Sequence, residues 1–456
     1  MKMKNSKNLA IIACATFGMG FSQNALATKP NVVLILTDDQ GSIDLNCYGA
    51  TDLKTPNLDR LAQNGVRFTQ FYVGSAVCSP SRACLLTGKT PQGAGLPAMA
   101  SSTKGHAGMP TEQVTIAEVL KKAGYATGHV GKWHVGYSPE TMPNQQGFDY
   151  SFGHMGGCID NYSHFFYWGG PNVHDLWENG KEVYYEGQYF PDLVVDKATS
   201  FIKGHEHSPF FLYLAFNNPH YPVQPTKKWR EYYKGLPSPR REYAGFVSST
   251  DERIGKIIDL LDKLKIRKNT LIVYLSDQGM SYEERTGFGG GNSGPYRGGK
   301  FSLFEGGIRV PAIISWKGTL PEGVVNDQMC MSMDILPTIA DFCGVKEVPK
   351  DVEGKSIKPV ILENKASVHD VVYWQLFKQW AVRKGDWKLI GNPVDPSPVT
   401  KGLLSFPKDK LFLANLKTDI SEKENLAEKY PEKVNELIQD YLGWAYSVKE
   451  DVYSNK

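Results

Sequence analysis

The eleven residues CSPSRACLLTG, positions 78–88, predict the start of a helix whose N-terminus carries reactive chemistry. Pro80 suits a first helical turn, where its missing N–H costs nothing. Cys78 stands at the N-terminal end, where free amides and the helix dipole favour an anion. Arg82 lies one turn further on and points back toward the same end. The stretch also fits an ordinary capped helix with a buried cysteine, so by itself it leaves both interpretations open.

The same stretch resembles the sulfatase signature, Cys-x-Pro-Ser-Arg followed by Leu-x-Thr-Gly, at every constrained position. On this and the further blocks below, the chain is identified as a member of the type I formylglycine-dependent sulfatases, which are arylsulfatase-like and belong to the alkaline phosphatase superfamily. The resemblance implies that a formylglycine-generating maturation enzyme converts Cys78 to an aldehyde. It also implies the fold of that superfamily, a large, mostly parallel α/β sheet sandwiched by helices.

Length and composition describe an ordinary globular protein. The 456 residues exceed a usual single core, which predicts two domains or one large domain with a smaller one appended. An apolar content of 41% and an aromatic content of 12% argue against disorder. A net charge of +3 gives no electrostatic footprint for nucleic acid, so an anionic substrate requires a local cationic pocket.

The N-terminus has the pattern of a signal peptide. Three lysines precede an apolar stretch over residues 9–21, and Ala25-Leu26-Ala27 offers a small-residue cleavage site. We expect cleavage after Ala27 and a periplasmic or secreted protein; a lipoprotein anchored through Cys14 is the alternative. No later segment has the ~20 uninterrupted apolar residues that a membrane span needs. Of the six cysteines after Ala27, Cys330 and Cys343 can pair in an oxidising compartment, and none has zinc-site spacing.

Strand-length apolar runs alternate with helical patterns over most of the chain, which predicts an α/β fold with a largely parallel sheet. From about Lys365 the pattern changes to short strands at hairpin-like spacing, followed by a helix from Pro431. This indicates a small antiparallel sheet with one packed helix. We therefore predict a signal peptide over 1–27, a catalytic domain over 28–364 and a C-terminal subdomain over 365–456.

Chemically useful side chains follow four of the predicted core strands. Because ligands bind beyond the carboxyl ends of the strands in open α/β sheets, we expect these side chains to meet at one edge. The strand that begins at Val32 leads into Asp38 and Asp39, and the strand that begins at Ala126 into Lys132 and His134. The strands that begin at Phe210 and Thr270 lead into His220 and into Asp277-Gln278, respectively.

Asp38, Asp39, Asp277 and Gln278 offer only hard oxygen ligands, which favours Ca²⁺ or Mg²⁺ over zinc. Three clustered carboxylates would repel one another strongly without a cation between them. The positions resemble the sulfatase calcium site, in which the modified Cys78 is the fifth ligand. Gln278 departs from the family pattern, which has Asn or His after the later aspartate, although its longer arm still permits coordination.

Three further blocks match the family. They are GKWHVG over 131–136, Asn218-Pro219-His220, and the Gly-rich run over 297–311 that contains Lys300. The resemblance implies that Lys132, Lys300 and His220 bind the sulfate group and that His220 protonates the departing oxygen. It implies that His134 takes a proton from the formylglycine hydrate and that Arg82 holds this hydrate in place. Glu305 and Arg309, in the third block, are interpreted as structural.

The mechanism implied by the resemblance begins with attack on sulfur by one hydroxyl of the gem-diol at position 78, activated by the cation and an aspartate, Asp277. A sulfo-enzyme intermediate forms, and the second hydroxyl then expels sulfate and restores the aldehyde. Two other functions remain open at this point: a formylglycine-dependent phosphonate monoester or phosphodiester hydrolase, and a catalytically silent glycan-binding protein.

The substrates implied by the resemblance are aryl sulfates or sulfated saccharides, and we expect exo-action on carbohydrates. The aromatic stretch over 156–168 fits either a sugar pocket or a packed aromatic cluster. The candidate specificity residues are Tyr162, His164, Trp374, Gln375 and Lys378.

Overall fold

The structure of the protein is a computed structural model that describes Met1 and residues 29–169, 172–397 and 410–454. The predicted signal peptide and Cys14 lie outside the described residues. Within them the strands are β1 (Asn31–Thr37), β2 (Val66–Phe68), β3 (Phe71–Tyr72), β4 (Ala126–Lys132), β5 (Tyr150–His154), β6 (Phe165–Phe166), β7 (Val173–His174), β8 (Trp177–Glu178), β9 (Lys181–Glu182), β10 (Phe210–Ala215), β11 (Thr270–Ser276), β12 (Ala312–Ser315), β13 (Val324–Asn326), β14 (Cys330–Met331), β15 (Val371–Leu376), β16 (Gln379–Lys384), β17 (Trp387–Gly391) and β18 (Leu411–Asn415).

The helices of the described residues are α1 (Pro56–Gln63), α2 (Cys78–Thr87), α3 (Ile116–Lys122), α4 (Phe190–Gly204), α5 (Lys227–Tyr232), α6 (Arg240–Lys263), α7 (Glu305–Ile308), α8 (Ile335–Phe342), α9 (Lys358–Glu363) and α10 (Pro431–Ser454). Their starts follow local sequence signals. Thr115, for example, caps α3 in a reciprocal capping box with Glu118, which satisfies two backbone N–H groups at the helix start.

One large mixed sheet forms the centre of the fold, and among the described residues its strand order is β13-β2-β12-β11-β1-β10-β4-β5-β8-β9. The five strands β11, β1, β10, β4 and β5 pair in parallel. Antiparallel strands extend this block on both sides, β12 beside β11 and β8 beside β5. The mostly parallel sheet is confirmed, and its five parallel strands bring their carboxyl ends to one edge.

Helices cover both faces of the large sheet, and β1 shows how the sequence specifies this arrangement. Val32 and Leu34 point into the apolar core that includes α2, α3 and α8, whereas Val33 and Ile35 point into the core with α1, α4 and α6. All four side chains are fully buried. A strand buried on both faces needs a continuous apolar run rather than an alternating one. Each such side chain contributes about 1.5–3 kcal/mol of hydrophobic stabilisation.

The C-terminal part forms a separate antiparallel sheet in the order β15-β16-β17-β18. One face, which includes Val372 and Trp374, packs on the core of the large domain. The other face, which includes Leu389, packs with Leu437 of α10 in a core of its own. This confirms the small antiparallel sheet with one packed helix. The boundary between residues 364 and 365 stays a prediction.

Several element predictions differ from the structure in detail. The sequence predicts one extended stretch over 66–73, but the structure has two strands there, β2 and β3, in different sheets. The sequence also predicts an amphipathic helix over 248–264, whereas α6 begins at Arg240, because its apolar stripe continues through a buried first half. The helix α4 and the strand β18 were not predicted. The sequence left open whether Cys330 pairs with Cys343, and the structure has both as free, buried thiols. None of the helices in the described residues has the length and apolar character needed to cross a bilayer.

Candidate active site

The first residue of α2 is Cys78, and every residue of this helix is buried. The Cys78 Sγ lies 3.7 Å from Oδ1 of Asp38 and 3.3 Å from Nε2 of Gln278. Burial raises the pKa of the Cys78 thiol to about 12, against the opposing effect of nearby Lys132. A thiol used directly as a nucleophile needs a lowered pKa, so this environment is unsuited to thiolate chemistry.

The acidic residues come from the ends of two neighbouring strands. Asp38 and Asp39 follow β1, and Asp277 follows β11, which pairs with β1 in parallel up to Ser276. The backbone N–H of Asp39, which has a positive φ of 59°, donates to Oδ1 of Asp277 at 3.2 Å. Gln278 donates from Nε2 to Oδ1 of Asp39. All four side chains are buried, so the structure brings the predicted oxygen ligands into one cluster.

Burial in one place disfavours the charged forms of these three carboxylates. Burial would raise the pKa of Asp38, but Lys132 and Arg82 lower it well below its usual range. For Asp39, burial outweighs Lys300 and raises the pKa to about 6. For Asp277, burial and the charge of Asp38 raise the pKa to about 7 despite Arg82. Burial therefore disfavours the charged form of two of the three carboxylates, Asp39 and Asp277.

The cluster offers ligand atoms for a divalent cation. One ligand atom each of Asp38, Asp39, Cys78 and His220 lies within 4.8 Å of the others, and all four residues are buried. The Oε1 of Gln278 is buried and has no hydrogen-bond partner among the described residues, so it is free to coordinate. Carboxylate and amide oxygens are the ligands that Ca²⁺ and Mg²⁺ prefer. His220 belongs to this cluster by distance, although the sequence assigned it to the substrate.

Three cations surround the carboxylates. The Nζ of Lys132 lies 2.5 Å from Oδ2 of Asp38, and the Nζ of Lys300 lies 2.9 Å from Oδ2 of Asp39. Arg82 lies 3.0 Å (Nε) and 2.9 Å (Nη2) from Oδ2 of Asp277. Burial opposes the charge on each lysine, but the adjacent aspartate raises its pKa above the usual value. Both lysines are therefore charged. Arg82, which the sequence placed toward the N-terminal end of its own helix, also forms an ion pair with Asp277.

The two predicted histidines differ in how closely they join this group. His220 is 4% exposed, and its Nε2 lies 3.0 Å from Nζ of Lys300. His134 is buried, its Nε2 lies 3.3 Å from the carbonyl oxygen of Ala100, and its Nδ1 has no partner among the described residues. Burial lowers the pKa of both histidines well below the usual value, reinforced by Lys300 at His220 and by Lys132 at His134.

Two residues that the sequence did not place beside this group are His154 and Tyr221, whose ring centroid lies 4.1 Å from that of His220. His154 ends β5 directly beside Lys132 of β4 and is fully buried. Its position at a strand end was the signal that could have identified it, but β5 itself was not predicted. Two of the suggested specificity residues have other roles: Trp374 is 1% exposed and its indole donates to the carbonyl of Val73 at 2.8 Å. His164 is fully buried, with Nε2 3.0 Å from the carbonyl of Gln188.

Comparison with known proteins gives consistent matches over most of the chain. Residues 30–345 match the family model described as Sulfatase, and residues 298–440 match the one described as N-sulphoglucosamine sulphohydrolase, C-terminal. The N-acetylgalactosamine-6-sulfatase of Sus scrofa is 35% identical in an alignment of 400 positions that covers 81% of this chain and 73% of that protein. The arylsulfatase of Hemicentrotus pulcherrimus is 36% identical in an alignment of 382 positions that covers 79% of this chain and 67% of that protein.

A solved structure is similar over nearly the whole length. The crystal structure of Ps i-CgsB in complex with k-i-k-neocarrahexaose superposes with a TM-score of 0.83 at 31% identity. The superposition covers 92% of this chain and 93% of that one.

Proposed function

The chain belongs to the sulfatase family and hydrolyses sulfate esters, and on that premise we propose an exo-acting carbohydrate sulfatase whose nucleophile is carried at position 78. The observation that carries the proposal is the surroundings of Cys78. Its thiol stands at the start of a buried helix, beside a cluster of aspartates and two charged lysines. Such a site suits an oxygen nucleophile and the anionic, tetrahedral sulfate group of an ester, whereas the raised pKa of the thiol disfavours sulfur as the attacking atom.

We propose that Cys78 is converted to formylglycine, which would supply an oxygen nucleophile through its hydrated aldehyde. Asp277 is suited to accept a proton at its carboxylate, because burial raises its pKa to about 7. Arg82 fixes this carboxylate through Nε and Nη2, and its Nη1 donates to the carbonyl of Lys132 at 3.0 Å. The arginine therefore links the acidic residue to the strand that carries one of the two lysines.

The residues that would hold a divalent cation are Asp38, Asp39, Asp277, Gln278 and the modified residue 78. We propose Ca²⁺, because the set contains only oxygen donors once the thiol is replaced, and because a carboxylate-rich site with a flexible glutamine tolerates its irregular coordination. The cation would supply positive charge that offsets the three carboxylates and stabilises charge on the reacting oxygens.

We propose that Lys132, Lys300 and His220 bind the sulfate group. The two ammonium groups are charged and buried, so they stabilise negative charge on sulfate oxygens more strongly than exposed lysines would. His220 Nε2 is the candidate proton donor for the departing oxygen. His134, with its unpartnered buried Nδ1 among the described residues, is the candidate acceptor of a proton during sulfate release.

The carbohydrate specificity is supported by relatives whose names state it, such as the N-acetylgalactosamine-6-sulfatase of Sus scrofa. We also propose export of the protein with cleavage after Ala27, and a division into a catalytic domain over 28–364 and a C-terminal subdomain over 365–456.

The experiment is peptide mass analysis of protein from its native host, combined with sulfate release from sulfated monosaccharides. We expect the mass loss of cysteine-to-formylglycine conversion at position 78, and no release by the Cys78→Ala variant. An active protein with an unmodified thiol would overturn the assigned nucleophile. Faster hydrolysis of phosphonate monoesters than of sulfate esters would favour the alternative activity. Release from internal positions of long polymers alone would contradict exo-action.

A further inference from the structure

Tyr221 connects the candidate active site to the protein surface. Its ring centroid lies 4.1 Å from that of His220 and 5.5 Å from the Nζ of Lys300. Tyr221 itself is 8% exposed. The ring therefore forms a wall next to the two side chains that would bind the sulfate group.

An exposed arginine lies against the same ring. The Cζ of Arg285 is 5.5 Å from the Tyr221 centroid, and its Nη1 donates to the Tyr221 hydroxyl at 3.3 Å. Among the described residues, Arg285 forms no ion pair with a carboxylate, and that includes its exposed neighbour Glu284. The nearby Glu283 is engaged elsewhere, because its Oε2 lies 3.3 Å from Nζ of Lys300 and accepts from Ser281 at 2.9 Å. Arg285 therefore presents an uncompensated guanidinium beside the site.

Aromatic side chains continue the wall outward on the other side of Tyr221. The ring of Trp168 meets Tyr221 edge to face with a centroid distance of 5.8 Å. Tyr167, which is 45% exposed, meets Trp168 at 6.1 Å. Partly exposed rings of this kind present an apolar body with a polar tip, which suits the faces of sugar rings.

We propose that Trp168, Tyr221 and Arg285 form a second subsite, which binds a hexuronate ring linked to the sulfated sugar. A planar carboxylate matches the guanidinium fork in a bidentate pair, which a neutral sugar cannot form. The aromatic rings supply the contact surface, and Arg285 supplies the charge selectivity. This inference rests on the proposed function, because it assumes that the sulfated ring lies beside position 78.

The test is calorimetric binding to the Cys78→Ala protein, which separates binding from turnover. The probe is a disaccharide with a 6-sulfated N-acetylgalactosamine at the non-reducing end and a hexuronate next to it. Its uronate methyl ester serves as the neutral comparison. The variants are Arg285→Gln, Arg285→Lys and, as a matched control, Arg230→Gln at an exposed arginine of α5.

We expect Arg285→Gln to weaken binding of the acid at least fivefold and to leave binding of the methyl ester within twofold. Arg285→Lys keeps the positive charge but not the planar guanidinium, so it should retain only part of the preference for the acid over the methyl ester. Arg230→Gln should change the affinity for neither disaccharide. Equal affinity of the parent protein for acid and ester, or an equal effect of Arg285→Gln on both, would overturn the subsite. Absence of binding to either disaccharide and to the sulfated monosaccharide would overturn the proposed function, and the subsite with it.

Discussion

The ammonium group of Lys300 lies 3.0 Å from Nε2 of His220, between this imidazole and the carboxylate of Asp39. A charged lysine can only donate, so His220 accepts at Nε2 and is neutral in this arrangement. Burial and Lys300 together hold the pKa of His220 well below its usual value. His220 can therefore protonate a leaving oxygen only after its Nε2 has gained a proton, which requires the Lys300 ammonium to move away from it. The monoanionic sulfate group of a bound ester attracts this ammonium and would favour that change.

Replacement of this lysine tests the arrangement. Lys300→Met should lower kcat/KM for an aryl sulfate by about 100- to 1000-fold, since loss of one donor to a developing oxyanion costs about 2.7–4 kcal/mol. The same change should raise the pKa of His220, measured by NMR of labelled histidine, because a neighbouring cation is removed. Lys300→Arg, which keeps the charge, is the control and should leave the pKa of His220 lowered. A kcat/KM of Lys300→Met within threefold of the parent would exclude sulfate binding by Lys300.

Removal of the divalent cation should destabilise the protein. Without it, burial disfavours the charged forms of Asp39 and Asp277 and raises their pKa values to about 6 and about 7. A cation present at 100 times its Kd stabilises the folded state by about 2.7 kcal/mol. We therefore expect chelation to lower both Tm and activity, and Ca²⁺ to restore both. The control is Asp38→Asn, whose Tm should respond much less to Ca²⁺. An unchanged Tm after complete chelation, verified by metal analysis, would contradict the site.

The clustering of the residues at the strand ends could be predicted from the sequence, because the carboxyl ends of parallel strands lie at one edge of the sheet. Asp38, Lys132 and Asp277 needed only the strand pattern to be placed together, and the structure does bring them together. Lys300 has no such strand before it, and only the resemblance to a family block pointed to its role. Its placement depends on how the loop over 281–304 folds back over the sheet edge.

The suggestion of Trp374 as a specificity residue shows where local reasoning failed. In β15 alternate residues are buried, and Trp374 points with Val372 and Leu376 toward the large domain. The sequence VVYWQL over 371–376 is apolar on both faces of the strand, so which face meets the large domain depends on the docking of the whole subdomain. The same holds for contacts between distant segments, such as that of Glu305 with Lys388, which no local pattern specifies.

This contact belongs to a buried ionic cluster that joins the C-terminal sheet to α7. The Nζ of Lys388 lies 2.9 Å from Oε1 of Glu305 and 3.0 Å from Oε1 of Glu422, and all three side chains are fully buried. Glu305 also accepts from Tyr72 at 2.6 Å and from Arg309 at 3.1 Å. These contacts support the structural interpretation of Glu305 and Arg309. They also fix the C-terminal end of the segment that carries Lys300.

Replacement of Lys388 should therefore lower the free energy of unfolding. Lys388→Met leaves two buried carboxylates with one cation fewer, and breaking a buried pair in this way costs about 3–5 kcal/mol. We expect a reduction of this size in the free energy of unfolding, measured by urea denaturation with Ca²⁺ present. Lys417→Met, at an exposed lysine after β18, is the matched control and should change the free energy by less than about 0.5 kcal/mol. Equal stability of the two variants would show that the cluster contributes nothing.

Glu422 makes the stability of the fold depend on pH in an unusual direction. Burial raises the pKa of Glu422 from 4.5 to about 7 in spite of Lys388. Glu305 is the ionised member of the pair, because Lys388 and Arg309 outweigh its burial and lower its pKa to about 2. A carboxyl whose pKa is raised on folding stabilises the fold fully below its unfolded pKa and loses this contribution as pH rises through its folded pKa. The contribution of Glu422 is therefore present below about pH 4.5 and declines toward pH 8, by up to about 3 kcal/mol.

Glu422→Gln keeps a neutral group, so its free energy of unfolding relative to the parent should rise between pH 5 and pH 8 in urea denaturation at saturating Ca²⁺. The comparison with the parent cancels other titrating groups. If Glu422 were instead ionised and held by Lys388, the folded and unfolded states would both be deprotonated over this range, and the difference between variant and parent would stay constant from pH 5 to pH 8.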